Sequence, residues 1–102
     1  MSRHTFHTEH NGRPVEVAAG WDRPLQGFFM TVLYTDDPED QAVQDYEYAF
    51  NNLTQLLPHP RTFDGFADIL ASLAIALPEG MTDDIIKDGR VNMGNKIRNW
   101  ST

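Results

Sequence analysis

The four histidines are the side chains in this sequence best suited to acid–base or metal chemistry, because an imidazole titrates near neutral pH. His4, His7 and His10 recur at intervals of three residues. On a strand, His4 and His10 project from one face and His7 from the other, so the three cannot converge on one metal ion. His59 lies between two prolines in an expected turn. It is a candidate binding residue or general base, although the sequence identifies no partner for it.

Metal and cofactor sites have little support elsewhere in the sequence. Cysteine is absent, which excludes thiolate zinc sites, iron–sulfur clusters and cysteine nucleophiles. Removal of Met1 would leave Ser2-Arg3-His4, a terminus that can enclose Cu(II) or Ni(II) in a square plane of nitrogens. Any chain with histidine at that position has this capacity. The acidic group that begins with Asp36 and Asp37 lacks the glycine and ligand spacing of a calcium loop. We therefore expect no metal and no cofactor.

No nucleophile is marked by a catalytic motif. The serines Ser2, Ser72 and Ser101 lie outside any Gly-x-Ser-x-Gly context, and no phosphate-binding loop or dinucleotide fingerprint occurs. Enzyme activity is therefore less expected than a binding role.

The segment from Gly20 to Gly27 is the best candidate recognition surface. We predict a glycine-bounded loop that displays Trp21, Asp22 and Arg23 before Pro24. Tryptophan and arginine are enriched among binding hot spots. The alternative is that Trp21 packs over the sheet edge while Asp22 and Arg23 tie the turn. Three residues outside this loop complete the candidate binding set: Asp36, Asp37 and His59.

The charge distribution limits the class of partner. The net charge is −7, and residues 24–84 carry eleven acidic residues against Arg61 alone. Residues 85–102 carry four basic residues against one acid. Nucleic-acid binding needs clustered basic charge, so it is disfavoured. No apolar run approaches the ~18 residues of a membrane span. The chain of 102 residues therefore reads as one cytoplasmic domain.

Hydrophobic alternation and turn residues predict a sheet. Asn11-Gly12 predicts a type I′ hairpin over residues 5–19, which places His7 opposite Glu16. The apolar run 28–35 predicts a central strand with cover on both faces. Residues 46–51 predict a fourth strand, antiparallel to the third, although a helix over 41–57 also fits.

Two helices and a closing strand complete the prediction. An apolar stripe predicts the main helix over 62–77, capped by Thr62. A short helix is expected over 83–88, stopped by Gly89, and a closing strand over 90–100. The predicted fold is α+β: a two-layer antiparallel sheet of four to five strands with both helices on one face.

Three functional hypotheses follow from these elements. The first is a non-enzymatic interaction or regulatory module that binds another protein through residues 21–23 and an acidic face around residues 36–47. The second is a small ligand-binding domain or enzyme with a cleft between sheet and helix. The third is a homodimer formed by pairing of edge strands.

Overall fold

The computed structural model describes residues 1–35, 48–52 and 59–101 of the chain. Its five strands and two helices are β1 (Ser2–His10), β2 (Arg13–Asp22), β3 (Gly27–Tyr34), β4 (Tyr48–Asn51), α1 (Asp64–Ser72), α2 (Met81–Arg90) and β5 (Lys96–Asn99). The strands form one sheet in the order β4-β3-β2-β1-β5. The predicted α+β class is confirmed. The sheet is mixed rather than antiparallel throughout, because β5 runs parallel to β1.

The β1–β2 hairpin is confirmed in both its turn and its register. Asn11 and Gly12 have φ angles of 54° and 76°, the positive values that a type I′ turn requires at both central positions. His7 pairs with Glu16 as predicted. The turn residues and the two-residue alternation point to the same register, so the local sequence is sufficient to specify it.

The predicted strand is an interior strand, because β3 lies between β2 and β4, but the middle strand of the five is β2, so the predicted central position of residues 28–35 is wrong. The expected loop before it is shorter than predicted. β2 continues to Asp22, and Trp21 pairs with Phe28, so the turn is confined to residues 23–26. Gly20 lies within the strand, where a Cβ would collide with the carbonyl oxygen of Ser2. Glycine is thus required there for close approach of two strands, and it does not end the hairpin.

Residues 48–51 form a strand antiparallel to β3, which favours the strand over the helix for this part of the prediction. The pairing includes an irregularity between Val32 and Leu33. The remainder of the alternative helix, residues 41–47 and 53–57, lies outside the described residues. Asp36 and Asp37 also lie outside them.

The main helix is shorter than predicted at both ends. α1 begins at Asp64, its N-cap is Phe63, and no side chain caps it, so the predicted Thr62 cap is wrong. It ends at Ser72 rather than 77 because Ala74 takes a left-handed conformation with φ 56°. The Ile75 N–H then donates to Leu70 O (2.9 Å), which turns the chain back toward the core in a Schellman motif.

The second helix is longer than predicted. α2 spans Met81–Arg90, so Gly89 lies inside it instead of stopping it. The stop is Asn92, whose φ is 52°. Its N–H donates to Gly89 O (3.2 Å), and the Met93 N–H donates to Asp88 O (2.8 Å). This second Schellman motif uses asparagine, one of the few residues that tolerate the left-handed region. The expected strand over 90–100 is therefore reduced to β5.

The hydrophobic core lies on one face of the sheet, where alternate residues of β2 and β3 meet both helices. Its fully buried members include Val17, Met30, Met81 and Ile85. The core cluster comprises Val15, Val17, Ala19, Trp21, Phe28, Met30, Val32, Phe63, Phe66, Leu70, Ile75, Met81 and Ile85. In the described part of the chain, no helix is both long and apolar enough to cross a bilayer.

Candidate functional site

A pocket of about 360 Å³ opens where the β2–β3 end of the sheet meets both helices. We call it the arginine pocket. It is lined by Trp21, Phe28, Arg61, Thr62, Phe63, Asp64, Ile86, Gly89 and Arg90. The sheet supplies the first two residues, the segment that leads into α1 and its first residue supply the next four, and α2 supplies the last three.

The floor of the arginine pocket consists of three buried aromatic rings. Trp21 meets Phe28 edge to face at 5.0 Å between centroids, and Phe28 meets Phe63 in the same way at 5.8 Å. This geometry is favourable for aromatic pairs. Gly89 allows α2 to lie directly on the rings, because a Cβ there would be 2.5 Å from Phe28 Cζ. The floor is therefore rigid and apolar.

Asn92 fixes the tryptophan of this floor. The Trp21 Nε1–H donates to Asn92 Oδ1 (3.0 Å), and the Gln26 side-chain amide donates to the same oxygen (2.7 Å). One amide oxygen thus joins the end of α2, the pocket floor and the β2–β3 turn. An indole has only this one donor, so its hydrogen-bonding capacity is satisfied.

The rim of the arginine pocket carries excess positive charge. Arg61 and Arg90 are exposed, and neither forms an ion pair or hydrogen bond with another described residue. Asp64 is the only acid among the described residues of the lining, where it accompanies two guanidinium groups. This local balance is opposite in sign to the net charge of −7 of the whole chain.

Of the sequence-predicted loop residues, Trp21 lines the pocket, while Asp22 and Arg23 are outside the lining. Trp21 is only 6 % exposed, so its ring contributes to the floor and is not displayed. Asp22 Oδ1 accepts the Leu25 N–H (3.3 Å), and Arg23 O accepts the Gln26 N–H (3.2 Å). Trp21 is therefore packed against its neighbours and Asp22 ties the turn, as the alternative interpretation predicted. The Arg23 side chain is exposed.

His59 comes to the same end of the sheet from a distant part of the chain. Its carbonyl oxygen lies where a Cβ of Gly27 would be, and Pro60 O accepts the Phe28 N–H (2.8 Å). Its Nδ1 is buried and has no hydrogen-bond partner among the described residues. The structure thus brings His59 near residues 21–23 without placing it in the pocket lining.

Sequence reasoning missed the two arginines that define the site. Arg61 carried the one available signal, because it is the sole basic residue in the acidic stretch 24–84. Arg90 gave none, since it was assigned to a strand instead of the last turn of α2. Their proximity depends on helix packing across 29 positions, which no local pattern encodes.

A second cluster of charged side chains lies away from the pocket and is built around two fully buried residues, His4 and Asp88. His4 Nε2 is 2.6 Å from Asp88 Oδ2, and Lys96 Nζ is 3.0 Å from Asp88 Oδ1. Lys96 and Arg98 both contact Asp84 Oδ2, at 3.2 and 2.8 Å. We call these five residues the buried ion network.

The ring nitrogens of His4 have separate partners. The Trp100 Nε1–H can only donate, and it lies 2.9 Å from His4 Nδ1. Nδ1 must therefore be the acceptor, and the proton of the neutral ring resides on Nε2, which donates to Asp88. With both nitrogens occupied and the ring fully buried, His4 has no free position for acid–base or metal chemistry. The copper or nickel arrangement is incompatible with this folded geometry.

Hydrogen bonds outweigh burial in setting the pKa values of the network. Burial alone would raise the pKa of Asp88, but hydrogen bonds from His4, Lys96 and Ser2 hold that pKa below its ordinary value. Asp84 behaves similarly: burial opposes ionisation, while Lys96 and Arg98 lower its pKa. Burial would lower the pKa of Lys96, but its bonds to both carboxylates raise it. Asp84, Asp88 and Lys96 are therefore ionised at neutral pH, and the role of the network is structural.

Within the residues that the structure describes, no group of three or more histidine, aspartate or glutamate side chains is placed to hold a metal ion. Comparisons of the chain with protein-family models, with curated proteins and with solved structures found no match. The functional argument therefore depends on the geometry of the arginine pocket itself.

Proposed function

We propose that this protein is an interaction module that holds an apolar side chain of a partner protein in the arginine pocket, with acidic residues of the partner beside it. The observation that carries the proposal is the pair of exposed, unpaired arginines over an aromatic floor. An arginine guanidinium binds carboxylates in a bidentate manner, and aromatic floors receive apolar anchors.

The size of the pocket suits one anchor residue. About 360 Å³ is near the lower end of the ~300–1,000 Å³ range of ligand sites. A single large side chain, with a short stretch of backbone on either side, fills such a volume.

The surface around the pocket favours a protein over a small molecule. Ile86 in the lining is 40 % exposed, and Val91, just beyond α2, is 51 % exposed. Leu25 is 57 % exposed in the turn that Gln26 and Asn92 tie to the same helix end. These apolar side chains extend the contact area beyond the pocket, as the core of a protein interface does. A small ligand would not cover them.

A structural explanation exists for one of the two arginines. Arg90 lies in the last turn of α2, where a cation stabilises the negative end of the helix dipole. Arg61 precedes α1 and has no such role. An experiment must therefore separate ligand binding from helix stabilisation.

The test uses peptides of defined composition. Hexapeptides with a central tryptophan or leucine, flanked by glutamate, serine or lysine, are titrated against the protein by fluorescence polarisation. We expect glutamate-flanked peptides to bind best. Arg61→Gln and Arg90→Gln should each weaken that binding about tenfold, which corresponds to ~1.4 kcal/mol. Lys87→Gln, on α2 but outside the lining, is the matched control.

Charge reversal gives the decisive comparison. The double variant Arg61→Glu/Arg90→Glu should reject glutamate-flanked peptides and accept lysine-flanked ones. The proposal is wrong if the flanking charge has no effect, or if Lys87→Gln weakens binding as much as the arginine variants. If small aromatic carboxylates bind as tightly as the peptides, the site is instead that of a ligand-binding domain. The acidic face around residues 36–47 stays a separate prediction.

A further inference from the structure

A serine, a histidine and a glutamate lie in one row on the sheet face opposite the core. Glu16 of β2 pairs with His7 of β1. Ser101 reaches the other side of His7 because the Trp100 N–H donates to Thr5 O (2.8 Å), which continues the β5–β1 pairing past Asn99. Ser101 is 94 positions from His7, so only the fold brings the three together.

The hydrogen bonds of this row define which ring nitrogen of His7 donates and which accepts. His7 Nε2 lies 3.0 Å from Glu16 Oε2, and His7 Nδ1 lies 3.3 Å from Ser101 Oγ. An ionised carboxylate only accepts, so Nε2–H donates to Glu16 and Nδ1 is left to accept the serine proton. The His7 backbone N–H donates to Ser101 Oγ (2.7 Å) and holds the hydroxyl oxygen beside the base.

We propose that Ser101 is an acyl-accepting nucleophile, with His7 as its general base and Glu16 as the residue that positions His7. A nucleophile in contact with a base, which is itself oriented by a third group, is the arrangement that activates a serine hydroxyl. The two ring nitrogens have exchanged partners relative to the usual Ser-His-Asp triad. The substrate class is small activated esters, because the His7 side chain is 51 % exposed and a small carbonyl compound can reach it from solvent.

The reaction proceeds in two balanced steps. Ser101 Oγ attacks the carbonyl carbon of the ester while His7 Nδ1 takes the hydroxyl proton. The ester C–O bond breaks, and that proton passes to the departing alkoxide. A water molecule then attacks the acyl carbon and gives one proton to His7. The bond between the acyl carbon and Ser101 Oγ breaks, His7 returns that proton to Oγ, and the carboxylic acid is released.

Asn99 is placed to assist the first step. Its Oδ1 accepts the Ser101 backbone N–H (2.9 Å), which fixes the side-chain amide beside the nucleophile. The amide nitrogen carries two donors that can stabilise an oxyanion on the substrate.

The site is separate from the arginine pocket, so its test is independent of the proposed interaction function. The full chain is incubated with a fluorophosphonate probe and analysed by intact mass and peptide mapping, and hydrolysis of p-nitrophenyl acetate is followed in parallel. We expect one probe on Ser101 and an initial burst of nitrophenol. Ser101→Ala should abolish both. Ser72→Ala, which changes an exposed serine of α1, is the matched control and should retain both.

The base and its positioning residue are tested by rate. His7→Gln should lower the labelling rate about 100-fold, the lower end of the contribution of general-base catalysis. Glu16→Gln should lower it less and should change its pH profile, whereas a purely structural contact would leave that profile unchanged. The proposal is overturned if Ser101→Ala hydrolyses the ester at the parental rate, which would identify unaided imidazole attack. It is also overturned if the probe labels no serine, or labels a serine other than Ser101. Circular dichroism of each variant verifies folding.

Discussion

His4 Nε2 donates to Asp88 Oδ2 across 2.6 Å, and both side chains are fully buried although they are 84 positions apart. The bond joins the first strand to the second helix. Lys96 extends it to the last strand through Asp88 Oδ1. Three elements distant in sequence are therefore held by one carboxylate, and its loss leaves several buried polar groups without partners.

Asp88→Asn should destabilise the protein by about 3 kcal/mol at pH 7. Removing one partner of a buried ion pair costs ~3–5 kcal/mol, because the remaining charge loses its compensation. Urea unfolding at pH 7 measures the difference. Asp83→Asn, an exposed neighbour in the first turn of α2, is the control, and we expect it to change stability by less than about 1 kcal/mol. Equal effects of the two substitutions would contradict the assignment.

The pKa shifts of the network predict a stability plateau with two limits. The lowered pKa values of Asp84 and Asp88 contribute stability that is fully present above the ordinary carboxyl pKa of ~3.9. This contribution is lost as the pH falls through the lower folded values. The raised pKa of Lys96 contributes stability that is full below ~10.4 and is lost as the pH rises through its folded value. Urea midpoints measured from pH 2 to pH 11 test both limits. An Asp88→Asn variant with the same acid dependence as the parent would argue against them.

Asn92 offers a clean test of how the pocket floor is held. Asn92→Gly keeps the left-handed helix end but removes the oxygen that accepts from Trp21 and Gln26. We expect a loss of about 1–3 kcal/mol and a shifted Trp21 indole N–H resonance, because a buried donor is left unsatisfied. Asn92→Asp retains an acceptor and should change both quantities little. Identical behaviour of the two variants would show that the side-chain oxygen has no such role.

A glycine-to-alanine substitution should have opposite effects on protein stability in the two helices. Gly65→Ala in α1 points into open space and should stabilise the protein by about 0.5–1 kcal/mol, because alanine is the better helix former. Gly89→Ala in α2 places a methyl group against Phe28 and Trp21 and should destabilise it by about 1–3 kcal/mol. Thermal melting is sensitive enough, since 1 kcal/mol shifts the midpoint by ~4–8 °C at this size. A rise in midpoint for Gly89→Ala would contradict the packing described for the pocket floor.

Replacing Ala74 with glycine should increase the stability of the protein. It is exposed and has a φ of 56°, a conformation that an L-residue with a Cβ adopts at a cost. Ala74→Gly should stabilise the protein by about 0.5–1 kcal/mol. Ala71→Gly, an exposed site inside α1, should destabilise it by ~1 kcal/mol. Calorimetry of both variants decides between helix-end strain and a general preference for alanine in this segment.

The parts of the fold that could be predicted are those that residues close together in the sequence specify completely. Asn11 and Gly12 specify a turn, and the turn specifies the β1–β2 register. The apolar spacing predicts α1 and helix start and stop signals predict α2, but the ends of both helices were not predicted correctly. Ala74 and Asn92 leave the helix through a backbone conformation that hydrophobic spacing does not report.

The candidate site was less predictable because its residues meet only after packing. Trp21 and Arg23 were chosen for their side-chain types, and the structure places Trp21 in the pocket lining and Arg23 in the exposed β2–β3 turn. Whether Trp21 is displayed or buried depends on Phe28 and Gly89, which cover it from another strand and a helix. Arg61 and Arg90 become neighbours of one pocket only through the approach of α2 to the start of α1.

The parallel pairing of β5 with β1 has a consequence for how the molecule is made. Ser2 aligns with Lys96, so the ladder closes a loop of more than ninety residues. Such distant contacts slow folding, because chain entropy is lost before the contact is gained. During synthesis one edge of β1 stays unpaired until residues 96–99 have left the ribosome. A nascent chain halted before residue 96 would expose that unpaired edge to other polypeptides.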